Sequence, residues 1–224
     1  MSMIASDGPG KRGATAGRLV TLEGGEGAGK STLLTGLREH FARSGLDVLY
    51  TREPGGTPAG EAVRALVLDP AHRGMAVETE LLLMFAARAQ LVREVLQPAL
   101  ASGRWVLCDR FTDASYAYQG GGRGVDAARI AELERIATGG LKPDLTLLLD
   151  LPVAHGRARA SQRGDADRIE AERDEFFERV RTAYLVRARA EPQRFHVIDA
   201  SRSADDVLRD AVSAIDGLRT SVPT

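Results

Sequence analysis

A chain of 224 residues with 43% hydrophobic side chains is long enough for one α/β domain with a sizeable core. Its 30 Lys and Arg against 31 Asp and Glu leave a net charge of −1, which excludes the broad basic field of a nucleic-acid binder. One cysteine, Cys108, excludes an internal disulfide framework and a cysteine-built metal site.

In chain order, residues 1–17 are Gly, Ser, Ala and basic residues with no apolar segment of signal-peptide length, and read as a disordered tail. The longest apolar run, Leu81 to Ala87, is too short to span a bilayer, so no membrane partner and a cytoplasmic location are expected. Leu19, Val20, Thr21 and Leu22 predict a buried strand. It runs into Gly24-x-x-x-x-Gly29-Lys30-Ser31, the pattern of a phosphate-binding loop. Such a loop must turn backbone N–H groups inward around a triphosphate, and Gly24, Gly25, Gly27 and Gly29 allow it. Glu26, Ala28 and Thr32 complete the candidate ATP-binding stretch. Lys30 brings a charge to the outer phosphates, the Ser31 hydroxyl suits Mg²⁺, and the following helix adds its positive end. Leu33, Leu34, Leu37 and Phe41 recur at helical spacing behind it.

A second strand over 47–51 ends in Arg52-Glu53-Pro54-Gly55-Gly56-Thr57, a charged turn at the edge where open α/β sheets bind ligands. A short helix over 61–68 carries Arg64, and a long one over 78–100 carries Phe85 and Arg88. A strand over 105–108 runs into Asp109-Arg110. The segment 113–119 reads as a loop or half-turn, and the glycines at 120–122 and 124 as a mobile stretch. A helix over 126–138, an apolar strand over 145–151, a largely helical stretch over 152–189 interrupted at 161–168, a strand over 195–199 and a closing helix over 204–218 follow. Alternating strands and helices predict a parallel sheet with right-handed crossovers.

With the phosphate loop, the Arg-Glu-Pro-Gly-Gly-Thr turn, Asp109-Arg110-Phe111 and Ala117-Tyr118-Gln119-Gly120 in order, residues 18 to about 200 resemble the thymidylate kinase family. The resemblance implies a P-loop NTPase-type five-stranded parallel sheet with helices on both faces, a single domain over 18–220 with a lid at about 156–169, and a homodimer. It implies ATP and Mg²⁺ as cofactors and dTMP as acceptor. It places Glu53, Arg64 and Arg110 around the acceptor phosphate, Asp109 near phosphate and metal, and Ser115 and Gln119 near the thymine ring. Tyr118 is set against the deoxyribose and Arg88 against the base. Met84 stands where the family's stacking phenylalanine usually is, and Phe85 is the expected platform.

Some members of the family carry a further basic residue within the phosphate loop; here the corresponding position is Glu26 or Gly27, so that cation does not come from the loop. The lid stretch instead holds Arg157, Arg159, Arg163 and Arg168, similar to the bacterial type whose lid supplies the arginines. Arg159 and Arg163 are the expected catalytic pair, since a cation arriving at lid closure neutralises charge developing on the phosphoryl group. The alternatives are another pyrimidine nucleoside monophosphate kinase, a GTP-binding switch and an inactive nucleotide-binding regulator. The second lacks its guanine-reading Asn-Lys-x-Asp, and intact Lys30, Ser31, Asp109 and Arg110 oppose the third.

Overall fold

A computed structural model describes residues 17–161 and 166–220, so the expectations for the tail over 1–16 and for Arg163 lie outside the described residues. The expected sheet is present: β1 (Leu19–Gly24), β2 (Val48–Arg52), β3 (Trp105–Asp109), β4 (Leu145–Asp150) and β5 (Phe195–Asp199) lie in the order β2-β3-β1-β4-β5. Every pairing is parallel, with Thr21 opposite both Cys108 and Thr146. All six residues of β1 are buried, which is why that strand alternates so little between apolar and polar. Strand order reverses direction at β1, and an α/β sheet opens its ligand crevice at that switch point.

The helices cover both faces. α1 (Lys30–Ser44) and α9 (Ala204–Thr220) pack together, burying Leu33, Leu37 and Phe41 with Val207, Ala211 and Ile215 against the sheet. α2 (Pro58–Leu68) starts a turn earlier than expected because the Thr57 side chain caps Gly60 N–H and Pro58 takes the first helical position. The long helix comprises α3 (Val77–Leu91), a wider π-type turn over Val92–Leu96, and α4 (Gln97–Ala101). Pro98 has no N–H to return to Glu94, and the ladder widens just ahead of it.

The segment expected to be a loop is instead helical: α5 (Thr112–Ser115) continues into a π-type turn over Tyr116–Gly122. Its glycines serve close packing, not mobility. A Cβ on Gly121 would lie 2.7 Å from the Cβ of Ala183, and one on Gly122 2.4 Å from the Phe176 ring, both on α8 (Asp174–Ala190). Gly122→Ala is therefore expected to cost about 1–3 kcal/mol of stability, read as a lower melting temperature. α6 (Ala127–Thr138), capped by Asp126, and α7 (Val153–Ala160) complete the described helices. No helix among the described residues is long and apolar enough to cross a membrane.

Candidate active site

The carboxyl ends of β1, β2 and β3 meet in a cleft of about 250 Å³. Glu26 to Ser31, Arg52, Glu53, Arg64, Met84, Asp109, Arg110, Tyr118 and Gln119 line it. The phosphate loop forms one wall, with Gly24, Gly27 and Gly29 at φ of 142°, 70° and 94°, conformations that favour glycine. Lys30 Nζ donates to the carbonyls of Gly24 and Gly25 at 3.1 and 3.0 Å, folded back over its own loop. Burial, then the Arg110 charge, lower its amine below the ordinary lysine value.

Arg110, directly after β3, packs against that loop. Among the described residues it is the non-glycine residue with positive φ, 69°, and the surrounding turn holds it there. Its N–H donates to Leu22 O, its carbonyl accepts from the Cys108 thiol, and the next N–H, of Phe111, donates to Glu23 Oε1 at 2.8 Å. The guanidinium donates to Gly24 O, to Tyr184 Oη at 3.2 Å, to Tyr118 Oη at 2.9 Å and to Glu26 Oε1 at 2.7 Å. Four of its five N–H groups are thereby taken, so a phosphate would be met by exchanging some of these partners for its oxygens, which suit the planar fork. Cys108 itself is buried, and burial pushes its thiol well up, as packing without reactivity requires.

Arg52 and Arg64 stand beside the fork. Arg52 Nη2 is 2.9 Å from Glu61 Oε2, and Arg64 Nη1 donates to Pro54 O at 3.2 Å, across a cis Glu53–Pro54 bond. Burial and the neighbouring Arg52 charge lower Arg64. Lys30, Arg64 and Arg110 thus crowd one cavity, and a polyanion there would relieve their mutual repulsion.

Among the described residues no group of three His, Cys, Asp or Glu could hold a metal by itself. Magnesium in phosphoryl transfer needs less, because phosphates and waters fill most of its sphere. Asp109 Oδ1 is buried without a hydrogen-bond partner among the described residues, and Ser31 lines the same cleft, so the expected pair fits a Mg²⁺ bound together with nucleotide.

The remaining expected residues divide. Tyr118 and Gln119 line the cleft; the Tyr118 hydroxyl donates to Glu26 Oε1 at 2.8 Å. Arg88 and Ser115 lie one layer below it. Arg88 is fully buried, donating to Glu53 Oε2 at 2.7 Å, Ser115 Oγ at 3.0 Å and Phe111 O at 3.0 Å. Phe85 is also below, packed with Leu81, Ile130 and Ala137 and with its ring 4.5 Å from the Arg88 guanidinium carbon. Met84 is the residue of that pair on the cleft, which corrects the placement expected for Phe85. Burial raises Glu53, opposed by Arg88, and Glu53 Oε1 has no hydrogen-bond partner among the described residues.

Arg159 lies on the other side of the phosphate loop. It lines a second groove of about 280 Å³ with Gly27, Gly29, Thr32, Arg202 and Val207, and Nη1 donates to Ala200 O at 3.2 Å. Arg157 donates to Asp174 Oδ1 and to Glu170 O. Arg168 is buried against Glu80 and is no free lid cation.

Sequence reasoning missed Glu23 and Tyr184. Glu23 is the next-to-last residue of β1, just before the loop, and accepts from Tyr184 Oη at 2.7 Å. Burial, and next the Asp113 charge, push its carboxyl up to about 8. The folded protein then holds a proton there that the unfolded chain releases near its ordinary 4.5, so this group makes stability fall as pH rises from about 4.5 to 8. Glu23→Gln is expected to flatten that part of the melting-temperature profile. An unchanged slope would contradict the assignment.

Residues 22–211 match the family model described as thymidylate kinase. The chain is 58% identical over 207 residues to a thymidylate kinase of Pseudomonas putida, covering 91% of this chain and 97% of that one. With the thymidylate kinase of Ectopseudomonas mendocina it shares 57% over 194 residues, 87% and 92% of the two chains. The crystal structure of thymidylate kinase from Ehrlichia chaffeensis is similar with a TM-score of 0.73 and 29% identity, covering 90% of this chain and 99% of that one. Loop, guanidinium wall and sequence agree: the chain belongs to the thymidylate kinase family.

Proposed function

We propose that the protein transfers the γ-phosphoryl group of ATP to the 5′-phosphate of dTMP, giving dTDP and ADP. One observation carries this reading. Arg110, Arg52 and Arg64 line the same cleft as the phosphate loop, with the Arg110 guanidinium bonded to the loop's Glu26, so two phosphorylated ligands can meet there end to end. In our reading the loop and Lys30 take the donor phosphates, and the groove with Arg159 and Arg202 takes the donor nucleoside. The acceptor phosphate lies on Arg110, Arg64 and Arg52, its sugar at Tyr118 and its ring by Gln119 and Met84. Arg88 and Ser115 act there through the groups they hold, Glu53 among them.

An acceptor phosphate oxygen attacks the γ-phosphorus in line as the bond to the bridging oxygen breaks and ADP leaves. The acceptor is already anionic near neutral pH, so positioning and charge neutralisation supply the rate, with no strong base. Mg²⁺, held by Ser31 and Asp109 with the phosphates, would neutralise donor charge. Arg159, and Arg163 with it, would add the lid cations of a single cytoplasmic domain over 18–220. Exposed Leu66, Leu82 and Ile136 on α3 and on α2 and α6, which both pack against it, support a homodimer, checked by sedimentation.

The test is ADP release from ATP-Mg²⁺ with dTMP, dUMP, UMP, CMP, AMP and GMP in turn. Strong preference for dTMP is expected. Equal use of a ribonucleotide would remove the assignment of Tyr118, and no turnover with any acceptor would remove the reading.

A further inference from the structure

The cleft's Gln119 is not free to choose which end of its amide it offers. Its Nε2 lies 2.8 Å from Glu80 Oε1 on α3, and Glu80 is only 1% exposed. The other carboxylate oxygen of Glu80 accepts from Arg168 Nη2 at 2.6 Å, and Arg123 Nη2 lies 3.3 Å from it. Arg168 is itself pinned, donating from Nε to Val67 O at 2.6 Å. Burial raises the Glu80 carboxyl, but the Gln119 N–H and the Arg123 and Arg168 cations outweigh it and hold it below its ordinary value.

An ionised carboxylate only accepts hydrogen bonds, so the amide nitrogen must face Glu80 and the amide oxygen must face away. That oxygen, Gln119 Oε1, is buried and has no hydrogen-bond partner among the described residues, on a side chain that lines the cleft. A buried acceptor left open calls for a donor on the ligand.

We propose that Glu80 sets the pyrimidine specificity of this enzyme by locking Gln119 with its oxygen toward the acceptor ring. The proposal rests on reading the cleft as the acceptor site. Thymine and uracil carry a hydrogen on N3 and satisfy the oxygen; cytosine carries a lone pair there and sets two acceptors face to face. A site whose polar group is left unpaired by the wrong ligand discriminates strongly. Glu80 touches no substrate and is a positioning residue. Arg168 and Arg123 act through it, by keeping it ionised.

Glu80→Gln replaces an acceptor-only group with one that can donate or accept, which frees the Gln119 amide to rotate. The measurement is kcat/KM for dTMP and for dCMP in the parent and the variant, with the KM for ATP alongside. The expected result is a fall of about tenfold or more in the dTMP-to-dCMP ratio, the scale of one hydrogen bond, with the ATP KM unchanged. Glu80→Asp keeps the charge opposite Arg168 and Arg123, and so the fold, while drawing the carboxylate back from Gln119. Its ratio should fall by about threefold. Equal losses for both acceptors, with the ratio unmoved in either variant, would overturn the proposal alone. A parent enzyme without dTMP activity would overturn the acceptor assignment, and this proposal with it.

Discussion

Lys30→Ala is expected to lower turnover by about a hundred- to a thousandfold, the range for removing one preorganised charge from a phosphoryl-transfer site. The fold should survive. Among the described residues the Lys30 amine bonds to carbonyls of its own loop, and burial and Arg110 both oppose its charge. Removing it relieves that repulsion, so the melting temperature should hold or rise slightly. The cost therefore falls on the reaction, where phosphates would have made the charge favourable. Near-parent turnover would remove Lys30 from the machinery, and a large fall in melting temperature would make its role structural.

Arg110→Lys should be nearly as damaging, with a loss of about a hundredfold in kcat/KM for dTMP. The charge stays but the fork goes. Arg110 uses four N–H groups on Gly24 O, Glu26, Tyr118 and Tyr184. An ammonium with three donors and no planar fork can neither hold these four nor offer a phosphate two parallel bonds in their place. The loss should appear mainly with the acceptor, while the KM for ATP stays within a few-fold, because the donor phosphates rest on the loop. A KM effect confined to ATP would place the fork on the donor side and contradict the assignment. Steady-state kinetics with each substrate varied in turn separate the two.

The parts of this site that were legible in the sequence are the local ones. A phosphate loop needs glycines, a lysine and a hydroxyl within eight residues, so the segment from Gly24 to Ser31 declares itself. The charged turns after β2 and β3 were visible because polar residues follow apolar runs directly. What stayed hidden depends on partners distant in the chain. Tyr184 reaches Glu23 from 161 residues away, and Arg168 reaches Glu80 from 88. Neither sequence neighbourhood reports the other.

Helix phase hid the rest. Met84 and Phe85 are adjacent and so about 100° apart around α3; only the pocket that Ile130 and Ala137 make for Phe85 decides which one faces the cleft. Gly121 and Gly122 misled for a related reason. Glycine suits a mobile loop and a tight helix contact equally, and the side chains of α8 decide between them.

The central claim is that one cleft holds a donor and an acceptor nucleotide with their phosphates meeting between Lys30 and Arg110. It is tested most directly with adenosine and thymidine joined 5′ to 5′ by five phosphates, a single ligand spanning both sites. Inhibition competitive against ATP and also against dTMP, tighter than either nucleotide alone binds, is the predicted result. Competition with only one of the two substrates would contradict it.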